Sequence, residues 1–406
     1  MTTTPARTPA RTPARSSVHT SVHGFRRVED CHLEDLLAVL ADPTDLADHP
    51  YAARLEQGVL VYDSAALRPL LAHESQAEAV RAEIADALAD GPGIVVLAGA
   101  FDDEVVDRVT SCFEDLIAAE KAAGQTAGDH FASPGANDRV WNALEKLAVG
   151  DPEAFVAYYA NDMLGLAARA WLGPAYQVTS QVNVVNPGGK GQTVHRDYHL
   201  GFQSPEVTAH YPERVHDVSA LLTLQGAVAH CDMPVETGPT LYLPHSQKYS
   251  HGYLAYWLPE FQDHFQTHHV QLPLRKGDAV FFNPALLHAA GSNHTPDVRR
   301  MANLLQISSA FGRSMENIDR DRVVRAIYPA LLTARSAGMT QVAAEHVVAA
   351  SAEGYAFPSN LDRDTPVDGM TPRSQAHVVR DALAAALDPE DLGSHLDAVA
   401  HAKLSH

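Results

Sequence analysis

The chain has 406 residues, 46% of them hydrophobic and 20% charged. That composition excludes a wholly disordered chain, a collagen-like repeat and a coiled coil. Its 30 Lys+Arg against 50 Asp+Glu give a formal net charge of −20, and residues 1–28 hold five Arg and no acid, so the body is more acidic still and a poor partner for nucleic acid.

No apolar run approaches the ~20 residues that span a bilayer, so no membrane partner is expected. Cys31, Cys112 and Cys231 are scattered. They make neither a disulfide framework nor a zinc pattern, which predicts a cytoplasmic location.

Taken in chain order, Thr-Pro-Ala-Arg occurs three times, from Thr4, Thr8 and Thr12. Proline at every fourth position forbids a helix and nothing apolar is offered to a core, so 1–23 is expected to be a disordered tail. Residues 24–75 read as a helical extension. Ser75 is placed to cap a helix over 77–89, where Val80, Ile84, Ala87 and Leu88 recur at helical spacing. A buried strand is expected over 94–97, then helices over 102–123 and 152–172. From 176 the character changes. Short β-rich runs at 176–185, 193–198, 219–224, 240–243, 269–274, 278–283 and 300–308 are punctuated by Pro and Gly. Such spacing predicts a barrel or two-sheet jelly roll, not βαβ units. Ala-rich helical patterns return over 316–352 and 374–403. The expectation is one β core over 76–310, with a helical extension over 311–406 as well as over 24–75.

His195-Arg196-Asp197 follows the turn Asn186-Pro187-Gly188-Gly189. In an extended segment residues i and i+2 face the same side. His195 and Asp197 can therefore supply two ligands of a 2-His-1-carboxylate iron site. The spacing alone does not select them, because His230/Asp232 and His395/Asp397 repeat it. The last pair falls in a predicted helix, where i and i+2 diverge. The middle pair stays open on geometry.

The surrounding order is more specific. Glu236-Thr237-Gly238-Pro239 leads into Leu241-Tyr242-Leu243-Pro244. Lys276-Gly277-Asp278 leads into Ala279-Val280-Phe281-Phe282, and His288 follows with Arg299 eleven residues on. Over roughly 78–310 this resembles the phytanoyl-CoA dioxygenase family, which includes ectoine hydroxylase. The resemblance implies a double-stranded β-helix, or jelly roll, flanked by N- and C-terminal helices. It implies Fe(II) held by His195, Asp197 and His288, with 2-oxoglutarate as co-substrate and O2 as oxidant. Arg299 matches the position that receives the distal carboxylate of 2-oxoglutarate, a task suited to a planar guanidinium. Gln181 and Asn183 alternate on one strand face and Thr193 shares the face of His195; these are further co-substrate candidates. Arg139 and Trp141, with His130 and Phe131, resemble a region near the substrate entrance. Tyr198 and His199 directly follow the metal motif and are candidates for approaching substrate. Two departures touch the surroundings of the iron: Pro244-His245-Ser246-Gln247-Lys248 replaces the usual Pro-Gly-Ser-His-Lys, and Ala290 stands where a serine is common.

The implied activity is hydroxylation of a C–H bond in a small molecule, with 2-oxoglutarate decarboxylated to succinate and CO2. A jelly-roll metal hydrolase or isomerase, or a non-catalytic binding protein, is the rival reading.

Overall fold

The computed structural model describes residues 24–124, 136–366 and 369–406. The expected tail 1–23 and the segment of His130 and Phe131 lie outside the described residues. Helices and strands are mixed around one large sheet. The strands are β1 Arg54–Glu56, β2 Val59–Asp63, β3 Ile94–Ala98, β4 Asn137–Val140, β5 Gln177–Val185, β6 Thr223–Ala229, β7 Leu241–Tyr242, β8 Val270–Gln271, β9 Ala279–Phe282, β10 His288–Ala289 and β11 Arg300–Ser308. Eight of them form a sheet in the order β1-β2-β3-β9-β6-β11-β5-β4, and three form a second sheet, β10-β7-β8. β2 and β3 run parallel, while the other neighbours are antiparallel.

Both faces of the large sheet are covered. Because side chains alternate along a strand, each strand feeds both layers. Val182 and Val184 of β5, Leu224 and Val228 of β6, Phe281 of β9 and Met301, Leu305 and Ile307 of β11 share one buried cluster with the helices. That cluster takes in Val80 and Ile84 of the helix Glu74–Ala89, Phe113 of Asp103–Ala122, Tyr158 of Pro152–Tyr159 and Val324 of Arg320–Ser336. At the β3 and β9 end of the opposite face, Ile94, Val96, Val280 and Phe282 pack on Tyr242, Leu272 and Leu286. Behind the small sheet, Val194, Leu243, Leu287 and Ala289 bury against Tyr249, Phe261 and Phe265, and against Cys31 and Leu36 from the N-terminal segment. Each buried Val, Leu, Ile, Phe or Met among them contributes about 1.5–3 kcal/mol by leaving water.

Several elements differ from expectation, each for a local reason. Within the stretch expected to be helical, β1 and β2 form a hairpin. Its two-residue turn is Gln57-Gly58, with φ of 48° and 79°, the paired left-handed conformation that suits a tight hairpin. The helix expected over 152–172 breaks in two, Pro152–Tyr159 and Asp162–Leu172. Asn161 begins the second piece by accepting a hydrogen bond from the Leu164 amide at 2.8 Å. The helix Glu74–Ala89 has His73, not Ser75, at its N-cap. Residues expected to open a strand at 219 instead end the helix Glu213–Leu221, and β6 starts at Thr223. No strand forms over 193–198; His195 makes a lone antiparallel bridge to His288.

Candidate active site

That lone bridge builds the centre of the site. The segment 192–197 runs antiparallel to 284–290. The Gln192 amide donates to Ala290 O at 2.9 Å, His195 and His288 exchange backbone hydrogen bonds at 3.0 and 3.1 Å, and the Asp197 amide donates to Pro284 O at 3.1 Å. This pairing sets the two imidazoles side by side, 4.5 Å between ring centroids. Asp197 lies between them, with Oδ1 3.7 Å from His195 Nε2 and Oδ2 3.3 Å from His288 Nε2. The ligand atoms of His195, Asp197 and His288 lie within 4.8 Å of one another.

The proton positions follow from the partners. His195 Nδ1 is 2.8 Å from Thr193 O, and His288 Nδ1 is 2.9 Å from Leu286 O. A carbonyl only accepts, so both Nδ1 atoms donate, which leaves Nε2 of each ring, on the Asp197 side, as the nitrogen placed to ligate a metal. Burial pushes His195 below its ordinary pKa, opposed by Asp197 and assisted by His288. Burial alone would raise Asp197, but the two imidazoles and the Gln225 amide outweigh it and hold the carboxyl well below the usual carboxylate range. Two imidazoles beside an ionised carboxylate, with their far nitrogens tied to carbonyls, are a donor set that can hold Fe(II).

The rival motifs are placed elsewhere. His230 is buried, and both its ring nitrogens are engaged: Nδ1 lies 2.8 Å from Thr110 Oγ1 and Nε2 3.0 Å from Tyr158 Oη. Asp232 accepts from the Lys276 amide. Asp397, on the helix Pro389–Ala402, pairs with Arg325.

The triad opens on a cavity of about 780 Å³, within the range of small-molecule sites. The large sheet forms its floor. Along β11 the alternate residues Arg300, Ala302, Leu304 and Gln306 face it; Gln181 and Asn183 of β5 and Gln225 and Ala227 of β6 do the same. The register agrees, with Ala302 opposite Asn183, Leu304 opposite Gln181 and Gln306 opposite Gln225.

This parity moves the expected arginine. Arg299 has a side chain 45% exposed and pairs with exposed Glu114 at 3.3 Å and with the buried carboxylate of Asp138 at 3.6 Å. It does not line the cavity. Arg300 does, at 6% exposure. Met301 and Leu305 share the parity of Arg299. They pack on the helices. Among the described residues the Arg300 guanidinium has no hydrogen-bond or ion-pair partner. Burial pushes it down to about 10, with Cys231 and Tyr242 the ionisable groups beside it. A buried cation without an anion is costly, so this end of the cavity fits a carboxylate ligand.

The other sequence candidates divide. Gln181 and Asn183 line the cavity, as do Thr193, Arg139 and Trp141. Arg139 donates to Gln181 Oε1 at 2.6 Å and lies 5.0 Å over the Trp141 ring. Tyr198 and His199 are not among the lining residues. The Tyr198 hydroxyl is bonded to Gln306, and His199 Nδ1 lies 3.2 Å from Ser219 Oγ. Ser292 Oγ is taken by the Gly191 amide at 2.8 Å. Sequence reasoning missed Arg300, Gln225 and Gln306. Their signal was weak: each is a polar residue in an otherwise largely apolar strand, on a face it shares with Ala302, Leu304 and Ala227.

A family model described as phytanoyl-CoA dioxygenase (PhyH) matches residues 89–301, just over half of the chain. The chain belongs to the phytanoyl-CoA dioxygenase family. It is accordingly an oxidoreductase whose cofactor is iron and whose co-substrates are 2-oxoglutarate and O2. Solved structures with similarity include the α-ketoglutarate-dependent epimerase SnoN from nogalamycin biosynthesis (20% identity, 57% of this chain and 84% of that one, TM-score 0.36). They also include the carbocyclase SnoK from the same biosynthesis (20%, 56% and 83%, 0.38). HygX from Streptomyces hygroscopicus, solved with nickel, 2-oxoglutarate and hygromycin B, is a third (16%, 57% and 88%, 0.39). With similarity this low, the family assignment rests on the family model. No curated protein matches. Among the described residues no helix is long and apolar enough to cross a membrane.

Proposed function

We propose that this chain hydroxylates a C–H bond of a small molecule, at an Fe(II) held by His195, Asp197 and His288 within a double-stranded β-helix. The observation that carries this reading is the convergence of two imidazole nitrogens and one carboxylate on a cavity that also contains an unpaired buried guanidinium. Three protein ligands leave coordination positions open for a chelating co-substrate and O2. Iron supplies the oxidising chemistry, at the expense of 2-oxoglutarate decarboxylated to succinate and CO2. The chain's own residues bind and orient. Arg300 receives the distal carboxylate of 2-oxoglutarate. Gln181 and Asn183, on the neighbouring strand, supply amides to co-substrate or substrate. Thr193 O and Leu286 O hold the imidazoles in the ligating tautomer. Phe282, its ring 4.8 Å from that of His288 in an edge-to-face contact, shields that imidazole from water. The wall of Arg139 and Trp141 faces the substrate.

The test is succinate release from 2-oxoglutarate by iron-loaded protein, measured with and without O2 across a panel of candidate small molecules. A gain of one oxygen in one of them is the expected product. Succinate release that requires O2, and is lost in His288→Ala but retained in His230→Ala, supports the reading. Turnover of a substrate without O2 would favour the hydrolase or isomerase alternative.

A further inference from the structure

Asp197 is not held by the imidazoles alone. The segment that carries it forms no strand, so something else must fix the carboxylate. Gln225 does so directly, and Gln306 anchors the residue that follows. Gln225 Nε2 lies 2.5 Å from Asp197 Oδ2, and the hydroxyl of the next residue, Tyr198, lies 2.5 Å from Gln306 Oε1. Gln225 and Gln306 are direct cross-strand partners on β6 and β11, on the cavity face. Two adjacent residues of the metal-binding segment are thus pinned to two adjacent strands of the floor. Backbone conformation points the same way. Tyr198 and His199 sit at φ of 67° and 44°, a left-handed pair that non-glycine residues hold only when the surroundings enforce it.

From this geometry we infer that Gln225 and Gln306 form a clamp that reserves one oxygen of Asp197 and presents the other to the metal. Gln225 and Tyr198 are therefore positioning residues. The inference rests on the metal reading above. A carboxylate can only accept, so the Gln225 amide nitrogen faces Asp197 and its Oε1 must point away; that oxygen is buried without a partner. An amide kept in this orientation at the cost of an unsatisfied carbonyl is held for Asp197, not for the core. With Oδ2 engaged, the carboxylate is biased against chelating the ion through both oxygens, which would consume a position that 2-oxoglutarate or O2 requires.

The test uses the full chain, metal-free, titrated with Co(II) under anaerobic conditions. Affinity and the visible ligand-field spectrum are read together, and the melting temperature of the metal-free protein is measured in parallel. Gln225→Met keeps length and volume but removes the donor. It should weaken Co(II) binding about 10–100-fold, the usual effect of losing an outer partner of a ligand, and alter the spectrum while melting stays within a few degrees of wild type. Tyr198→Phe removes a single oxygen and should show a smaller loss of the same kind. If wild type binds Co(II) and Gln225→Met binds it equally with an identical spectrum, the clamp is refuted and the metal site stands. If wild type binds no Co(II), the metal site itself fails and the clamp with it. Should Gln225→Met fail to fold, Tyr198→Phe decides alone: unchanged affinity and spectrum overturn the clamp, and a weakened, altered complex supports it.

Discussion

The two faces of the eight-stranded sheet are made by the same strands and follow opposite rules. On β11, Met301, Leu305 and Ile307 enter the helix-packed core, while Arg300, Ala302, Leu304 and Gln306 face the cavity. On β5, Val182 and Val184 alternate with Gln181 and Asn183 in the same way. The helix face gives its polar residues partners from the helices: Ser180 Oγ lies 3.1 Å from Tyr159 Oη, and Asn303 Nδ2 donates to Tyr158 Oη at 3.2 Å while its Oδ1 stays unpartnered. The cavity face leaves Asn183 Oδ1 and Gln225 Oε1 without partners and, among the described residues, the buried Arg300 guanidinium as well. Unpaired buried polar atoms cost free energy, so a face that accumulates them is built for a ligand, and stability is carried by the other face.

This contrast can be broken at either face, and the expected effects span a wide range. The largest belong to the ligands. His195→Ala, Asp197→Ala and His288→Ala should each reduce bound iron from one per chain to near zero by elemental analysis, with turnover abolished. Arg300→Ala comes next. Removing one partner of a buried charge pair costs about 2–5 kcal/mol, so the 2-oxoglutarate dissociation constant should rise at least ~30-fold by calorimetry, with bound iron unchanged. On the helix face the readout changes. Leu305→Ala should lower unfolding free energy by about 2–5 kcal/mol in denaturant titration, while the 2-oxoglutarate affinity of the folded fraction stays at the wild-type value. His230→Ala should cost about 1–3 kcal/mol of stability through two lost buried hydrogen bonds and leave iron content intact. Arg299→Ala removes an exposed ion pair to Glu114 and a 3.6 Å contact to the buried Asp138, which keeps its closer partner Lys121; it should change stability by less than ~1 kcal/mol and 2-oxoglutarate affinity by less than about twofold.

The same contrast explains what was legible in the sequence. Long periodic elements were readable: the helix Asp103–Ala122 and the strands β5, β9 and β11 fall where alternation or helical spacing put them. His195, Asp197 and His288 were readable as candidates only through the order of surrounding motifs, since the spacing of His230 and Asp232 is identical. The resemblance selected Arg299 by its spacing of eleven from His288, whereas in the structure Arg300 is the residue that lines the cavity. In a sheet buried on both sides, the more apolar face is the one against helices. The cavity face, with Ala302, Ala227 and its amides, reads as the weaker one. The hairpin of β1 and β2 was hidden because its turn carries a single glycine. The paired left-handed residues Tyr198 and His199 have no sequence signature, since neither residue type favours that conformation. Cross-strand partners such as Gln225 and Gln306 are set by register, which no local pattern specifies.

The most direct test of this account is a titration of 2-oxoglutarate into anaerobic Fe(II)-loaded protein, followed by the metal-to-ligand absorption band. The account predicts a saturable band in wild type and in Arg299→Ala at similar concentrations, a midpoint at least ~30-fold higher in Arg300→Ala, and no band in His288→Ala. A band that is lost in Arg299→Ala and retained in Arg300→Ala, or one that persists without His288, would contradict it.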